Sequence, residues 1–285
     1  QEDVKLLAFY LMQVVLFGAT ILLYTIIYPR VSRLVVNNMC MLLCIGMIML
    51  TRLSYSNAVK QFVIAAGGVA ISLVVPVVIR KVKKLSEWRK VYAIIGIVSL
   101  AFQVAGINVQ PSELVKIVFV FFVASSFKQS MAFKDIVVTT ALAAFHVLIL
   151  VASKDLGAAL IIFVVYLVML YVATRQPLYV LAGLGAGSVA SVGAYYLFNH
   201  VRNRVVAWKD PIASYSGSGY QVAQSLFAIG TGSWFGMGLF QGQPDTIPVA
   251  SSDFIFSAIC EEMGLIFGLC MTLVCVSCYV MFLNI

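Results

Sequence analysis

The chain contains 285 residues, of which 62% are hydrophobic and 11% are charged. With a mean hydropathy of +1.02, it has too few polar side chains to cover a water-soluble domain. This composition excludes a soluble globular fold and predicts an all-α, polytopic membrane protein, because helices satisfy their own backbone hydrogen bonds inside a bilayer.

About nine apolar runs are the predicted spans, and we assign them to a single transmembrane domain over 1–285. The run at 114–127 reaches spanning length only if its helix begins near Ser112 and includes Lys116. The chain starts at Gln1 and ends within an apolar run, so we expect the native protein to be longer. In chain order the runs lie at 6–28, 34–51, 61–79, 91–107, 114–127, 136–152, 156–174, 177–198 and 254–284.

The distribution of basic residues predicts the orientation of these spans. Six of them lie together in RKVKKLSEWRK, residues 80–90, and such a cluster between two apolar runs is typical of a cytoplasmic loop that faces anionic lipid. Alternating the loops from there leaves eleven of the nineteen Lys and Arg residues inside and seven outside, with Lys116 in neither set. The N-terminus and the connection at about 199–252 are then extracytoplasmic. The same clustering accounts for the net charge of +8 without a nucleic-acid partner.

The long extracytoplasmic connection is not an ordinary polar loop. Its stretch GYQVAQSLFAIGTGSWFGMGLFQG, residues 219–242, mixes apolar residues with six glycines. Such a sequence is too apolar to be disordered and too rich in glycine for a simple spanning helix. We predict a surface-lying or re-entrant element that faces protein or a water-filled cavity.

The motif QPSELVK, residues 110–116, places two opposite charges near a predicted helix start. Pro111 suits the first position of a helix. Glu113 and Lys116 are three residues apart, so they would share one helix face. The pair is either a structural ion pair or the polar wall of a substrate cavity.

Two further polar sites lie on the predicted outer side. In SKDLGAALI, residues 153–161, Lys154 and Asp155 stand at the end of a span, where Asp155 is a candidate helix cap or a substrate contact. Arg202 and Arg204 begin the long connection. They are either solvated loop charges or recognise a phosphate group at the membrane surface, a task that suits Arg.

The fourth polar site begins with Asp253 in SSDFIF, residues 251–256. Glu261 and Glu262 would lie about 12–14 Å further along if 254–284 formed one helix. An acid inside the membrane is a functional candidate by default, whereas the alternative for Asp253 is a helix cap. No set of His, Cys and carboxylate residues has zinc spacing, and the sequence contains no P-loop or nucleophile elbow.

These motifs together resemble the SEDS family (shape, elongation, division and sporulation), which includes RodA, FtsW and SpoVE. The resemblance covers a core of about 34–285, leaves the helix at about 6–28 as an addition, and implies a family core of ten helices. Leu100 and Ala101 stand near positions where family members often have an Arg-Trp pair, and Met237 stands where they have Lys. The motifs that carry the resemblance are QPSELVK, DLGAALI, the stretch at 219–242, IP at 247–248 and SDFIFSAICEEMGLIFG at 252–268.

The resemblance implies a peptidoglycan glycosyltransferase of the bacterial cytoplasmic membrane, serving cell elongation, division or sporulation. It would polymerise lipid II on a glycan linked to undecaprenyl pyrophosphate, usually beside a class B penicillin-binding protein. The essential family aspartate matches Asp253, and the Pro-Ser-Glu and Lys positions match Pro111, Ser112, Glu113 and Lys116. The predicted substrate-binding residues are Glu113, Lys116, Lys154, Asp155, Arg202, Arg204, Gln224 and Ser225.

The leading hypothesis is inverting glycosyl transfer with Asp253 as general base, a role worth about 10²–10⁴-fold in rate. Basic side chains would neutralise the leaving pyrophosphate, or a divalent cation (Mg²⁺ or Mn²⁺) bound by the pyrophosphate would do so. Apart from such a cation we predict no cofactor, and we predict no metal site formed by the protein. One alternative is a flippase or transporter of lipid-linked precursor, using Glu113, Lys116 and Glu261. Another is an inactive scaffold for a penicillin-binding protein, which the missing Arg-Trp pair leaves open.

Overall fold

The structure is a computed structural model that describes residues 2–104 and 112–283. Gln110, Pro111 and the end of the predicted span 91–107 lie outside the described residues. All regular secondary structure in the described residues is helical, which confirms the all-α prediction. Its twelve α-helices are α1 (Glu2–Ile27), α2 (Arg33–Leu53), α3 (Tyr55–Lys81), α4 (Arg89–Val104), α5 (Ser112–Gln129), α6 (Phe133–Ala152), α7 (Leu156–Thr174), α8 (Pro177–Leu197), α9 (Asn199–Lys209), α10 (Tyr220–Gly232), α11 (Ile255–Met263) and α12 (Leu265–Leu283), with 3₁₀ helices at Lys83–Ser86 and Pro244–Thr246.

Seven of the described helices are long and apolar enough to cross a membrane, namely α1, α2, α3, α6, α7, α8 and α12. This confirms a polytopic membrane protein. Helix α5 begins at Ser112, as predicted, but it contains Glu113, Lys116 and Lys128 and does not belong to the seven. Helix α4 leads into residues that the structure does not describe.

The prediction of one continuous span over 254–284 is wrong. The run is broken at Gly264, between α11 and α12, where the backbone has φ +91°. Only a residue without a Cβ adopts such a conformation at little cost. Because α11 has nine residues, it is too short to cross a bilayer, and only α12 has spanning length.

The chain forms two compact units, one made of residues 1–76 with 206–285 and the other of residues 77–205. In the first unit, α2 contacts α1, α11 and α12. Phe17 of α1 packs with Val36 and Met47 of α2, and Met49 packs with Ile259 of α11. Helix α2 therefore connects the N-terminal helix to the region that contains Asp253. The assignment of 1–285 to one transmembrane domain stays a prediction.

The second unit packs α4, α5, α6 and α7 around an aromatic and aliphatic core. Leu100, Phe119 and Ile162 are almost fully buried there. His146 is also buried, and its Nδ1 atom lies 2.8 Å from the carbonyl oxygen of Leu142. A Cβ atom at Gly96 would collide with this imidazole, so glycine at position 96 makes room for the ring.

Candidate functional site

The glycine-rich connection folds into a short helix that packs closely on α11. Helix α10 has 13 residues and cannot cross a bilayer, which confirms that residues 219–242 are not a simple spanning helix. At its end, a Cβ on Gly232 would meet the carbonyl oxygen of Cys260 and lie 2.7 Å from Cα of Glu261. Glycine thus lets the backbones of the two helices touch.

The loop after α10 satisfies the carbonyl groups at the end of α11. The N–H of Met237 donates to the carbonyl of Glu261 at 2.9 Å, and the N–H of Gly238 donates to that of Glu262 at 2.9 Å. Gly236, with φ +82°, precedes them, and a Cβ there would lie 2.6 Å from the amide nitrogen of Gly264. A carbonyl left unpaired at a buried helix end costs several kcal/mol in a membrane. These bonds therefore stabilise the helix break and hold both glutamates in place.

The same loop satisfies the beginning of α12. The N–H of Leu265 donates to the carbonyl of Ser233 at 2.9 Å, and the N–H of Ile266 donates to that of Trp234 at 3.2 Å. The first N–H groups of a helix have no partner within the helix, just as its last carbonyl groups have none. The segment 233–238 thus forms backbone hydrogen bonds on both sides of the break at Gly264.

Glu262 lies in the interior beside the end of α2. Its side chain is fully buried, and its Oε1 atom lies 3.4 Å from Nε of Arg52, whose side chain is 19% exposed. The two atoms are close enough for an ion pair but are not aligned for a hydrogen bond. The Arg52 guanidinium also lies over the ring of Phe240, 5.1 Å from its centroid, a distance at which cation–π attraction operates.

Glu261 is buried next to Glu262 and faces a different neighbour. Its Oε1 atom accepts a hydrogen bond from the backbone N–H of Gln243 at 3.0 Å. Its Oε2 atom has no hydrogen-bond partner among the described residues. Gly242 allows this close approach, since a Cβ there would lie 3.1 Å from Cδ of Glu261.

A cavity of about 350 Å³ lies beside α10 and the end of α11. Ligand pockets in proteins typically have about 300–1,000 Å³, so this cavity is large enough for part of a substrate. Its lining comes from α10, the loop after it, the second 3₁₀ helix and α11. The lining residues are Gln224, Phe227, Ala228, Thr231, Met237, Gln241, Gln243, Thr246 and Glu261.

Asp253 lies in a turn before α11, and its side chain is exposed. Its backbone N–H donates to the carbonyl of Val249 at 3.1 Å, and Val249 itself has φ +57°. A positive φ is rare and strained for a β-branched residue, and such strain is often found at functional sites. The N-cap of α11 is Phe254, without a side-chain cap, so the alternative that Asp253 caps this helix is wrong. Within the described residues its carboxyl group forms neither a hydrogen bond nor an ion pair.

In the second unit, Glu113 and Lys116 form the predicted pair on one face of α5. Nζ of Lys116 donates to Oε1 of Glu113 at 2.7 Å, with 26% and 76% of the two side chains exposed. Asp155 is the N-cap of α7, as predicted for one alternative, and accepts from the N–H of Ala158 at 3.1 Å. The exposed Lys154 precedes it with φ +66°.

The remaining predicted residues lie on α9 and α10. Arg202 and Arg204 are exposed on α9, and the guanidinium of Arg202 lies 6.0 Å from the ring centroid of Tyr195. Gln224 lines the cavity. Ser225, one residue further, is buried and shares a hydrogen bond with Ser257 of α11, which gives it a packing role.

The structure thus places Asp253, Gln224 and Ser225 in the first unit. The predicted substrate-binding residues Glu113, Lys116, Lys154, Asp155, Arg202 and Arg204 belong to the second unit. No group of three or more His, Cys, Asp and Glu residues in the described chain is arranged to hold a metal ion.

Comparison with known proteins identifies the family. The profile of the FtsW, RodA and SpoVE family, described as "Cell cycle protein", matches residues 32–285. The chain belongs to the SEDS family. It is accordingly a multi-pass protein of the bacterial cytoplasmic membrane.

Several relatives of this SEDS chain are named as glycosyltransferases. The peptidoglycan glycosyltransferase RodA of Mycobacterium bovis is 31% identical, over 88% of this chain and 63% of the relative. RodA of Mycobacterium leprae is 30% identical over 84% of this chain and 60% of the relative. The probable peptidoglycan glycosyltransferase FtsW of Geobacter sulfurreducens is 36% identical over 56% of this chain and 45% of the relative. The chain spans less than two thirds of the length of these relatives.

Several residues of the site carry little signal in the SEDS sequence. The sequence alone indicates an ordinary loop charge at Arg52, because nothing near position 52 points to a partner at Glu262. Gln241, Gln243 and Thr246 line the cavity, but they stand in a stretch without helical or strand periodicity. The cluster of amide side chains at 241–243 was the one available signal.

Proposed function

We propose that this chain is a peptidoglycan glycosyltransferase that polymerises lipid II at the outer face of the cytoplasmic membrane. The observation that carries the proposal is the position and exposure of the Asp253 side chain. It matches the essential aspartate of the family, its side chain is exposed, and within the described residues no cap or ion pair engages its carboxyl group. A free carboxylate held on a fixed turn suits a general base.

In the proposed reaction, Asp253 accepts the proton of the sugar 4-hydroxyl of an incoming lipid II. That oxygen forms a bond to the anomeric carbon of the growing chain. The bond from this carbon to the pyrophosphate oxygen breaks, and undecaprenyl pyrophosphate leaves with the electron pair. Attack opposite the leaving group inverts the anomeric carbon. A general base typically contributes about 10²–10⁴-fold to such a step.

The leaving pyrophosphate needs positive charge. The candidates are the exposed Lys154, Arg202 and Arg204 and the half-buried Lys116. A Mg²⁺ or Mn²⁺ ion bound by the pyrophosphate would arrive with the substrate. The apolar helix surfaces suit the undecaprenyl tails, and a class B penicillin-binding protein is the proposed partner.

An enzyme is favoured over a flippase by where the charges lie. A flippase needs a polar path through both leaflets, whereas the predicted spans carry no charge in their inner halves. In the predicted orientation α2 ends on the outer side, which supports an outer location for Arg52 and the buried Glu262 as well.

The test is a reconstitution of the purified chain in liposomes with labelled lipid II, with and without its penicillin-binding protein. We expect glycan chains without movement of label across the bilayer. Movement of label without glycan would favour the flippase instead. Capture of the penicillin-binding protein with no glycan formed would favour the scaffold.

A further inference from the structure

The side chains that line the cavity beside α10 are unlike those of a phosphate-binding site. Its polar groups are the amides of Gln224, Gln241 and Gln243, two threonine hydroxyls and the carboxyl group of Glu261. No Lys or Arg belongs to this lining. Pyrophosphate recognition requires cations or clustered N–H donors, so the cavity suits an uncharged group.

Several of these polar groups retain unused hydrogen-bonding capacity within the described residues. Gln224 donates through Nε2 to the hydroxyl of Tyr215 at 2.7 Å, which leaves its carbonyl oxygen to accept. The side-chain amides of Gln241 and Gln243 form no hydrogen bond to a described residue. Oε2 of the buried Glu261 has no described partner either. That atom is enclosed by protein, so the glutamine amides are the groups with which a ligand carrying hydroxyl or amide groups would pair.

An apolar contribution completes the lining. Phe227 is half exposed and lines the cavity with Met237. An aromatic ring offers an apolar face for the C–H groups of a sugar, while glutamine amides match both hydroxyl groups and an N-acetyl amide as donors and acceptors.

We propose that this cavity is a subsite for a neutral N-acetylated sugar unit of the lipid-linked saccharide. The proposal rests on the proposed function, which supplies such a saccharide. It separates two tasks within the substrate: the amide-lined cavity holds the sugar, and basic groups elsewhere hold the pyrophosphate. A peptide is less suited, because its terminal carboxylate would find no cation in this lining.

The experiment uses the full chain in nanodiscs and di-N-acetylchitobiose, a neutral sugar without lipid or phosphate. Binding is measured by saturation-transfer difference NMR, with the variants Gln224→Ala, Gln241→Ala and Gln243→Ala. We expect the parent to bind and each variant to raise the Kd by about three- to tenfold, as the loss of one hydrogen bond predicts. Gln221→Ala is the matched control, because Gln221 is an exposed glutamine on α10 outside the cavity lining.

Three results would overturn the sugar assignment. The first is a parent chain that gives no chitobiose signal. The second is a set of variants that bind as well as Gln221→Ala does. The third is displacement of chitobiose by inorganic pyrophosphate or by a dialanine peptide, which would assign the cavity to that other group. Thermal unfolding of each variant identifies loss of binding that comes from misfolding, and the exposed Gln241→Ala provides a variant without a buried change.

The variant Asp253→Asn separates this inference from the proposed function. If both hold, it loses polymerisation and keeps chitobiose binding. If Asp253→Asn polymerises lipid II normally, the catalytic proposal fails while the binding result stands. If the glutamine variants bind sugar normally while Asp253→Asn is inactive, only the subsite fails.

Discussion

Nε of Arg52, at the end of α2, lies 3.4 Å from Oε1 of the fully buried Glu262 in α11. The pair connects helices from the two ends of the chain, and the ring of Phe240 covers the guanidinium. Removing one partner of a buried pair leaves an uncompensated charge, which costs much more than the pair itself contributes. Arg52 therefore controls whether the end of α11 keeps its position.

Replacing this arginine should destabilise the protein. We expect Arg52→Met to lower the free energy of unfolding by an amount near the lower end of about 3–5 kcal/mol, since its side chain is 19% exposed. Denaturant titration in detergent measures the change. Adding Glu262→Met should recover most of the loss, because no buried charge remains. The control is Lys60→Met, which alters an exposed lysine. If Arg52→Met alone were as stable as this control, the ion pair would be dispensable.

Two glycines of α10 should respond in opposite ways to alanine. Gly232→Ala places a Cβ 2.7 Å from Cα of Glu261, so backbone must move and both stability and polymerisation should fall. Gly230→Ala meets nothing within 4 Å and should be neutral or stabilising by up to about 1 kcal/mol, because alanine favours helix. Thermal unfolding of the two variants side by side provides the comparison. Equal stability would contradict the close packing of α10 on α11.

The sequence predicts most of the helices but not the close backbone contacts that these glycines allow. The apolar runs predict most of the helices, because a segment such as 156–174 satisfies its backbone hydrogen bonds in a bilayer by forming an α-helix. The break at Gly264 could not be predicted in the same way, since its immediate neighbours Met263 and Leu265 are both apolar and helix-forming. Its stability depends on Met237 and Ser233, whose backbone groups pair with α11 and α12.

The candidate site was predictable only in part. Asp253 and the Glu113–Lys116 pair follow from motifs whose spacing is local. The cavity lining combines Gln224, Gln243 and Glu261, which come together through the fold of the connection. No periodic pattern in the sequence predicts such a contact.

The Glu113–Lys116 pair allows its two interpretations to be separated. Because 76% of the Glu113 side chain is exposed, Lys116→Met should change the free energy of unfolding by less than about 1 kcal/mol. If the pair belongs to the substrate site, polymerisation should nevertheless fall at least about tenfold, a loss of about 1.4 kcal/mol. Lipid II turnover and unfolding are measured on the same preparation, with the exposed Lys134→Met as control. Normal turnover would leave the pair a purely structural role.

Asp155 serves as a cap whether or not it also contacts substrate. Asp155→Ala removes the bond to the N–H of Ala158 and should cost about 0.5–2 kcal/mol. Asp155→Asn keeps a good capping group and should retain stability. If Asp155 also contacts substrate through its charge, the Asn variant should lose polymerisation while it stays folded, because only the charge has changed. Full activity in that variant would restrict Asp155 to capping.

The most direct measurement is the rate of glycan formation from purified lipid II by Asp253→Asn. The matched control is Asp245→Asn, which removes an exposed aspartate of the preceding 3₁₀ helix. The account predicts that Asp253→Asn folds normally and loses at least about 10²-fold in rate, while Asp245→Asn stays near the parent rate. Glycan formed by folded Asp253→Asn at the parent rate would contradict the assignment of Asp253 as the general base.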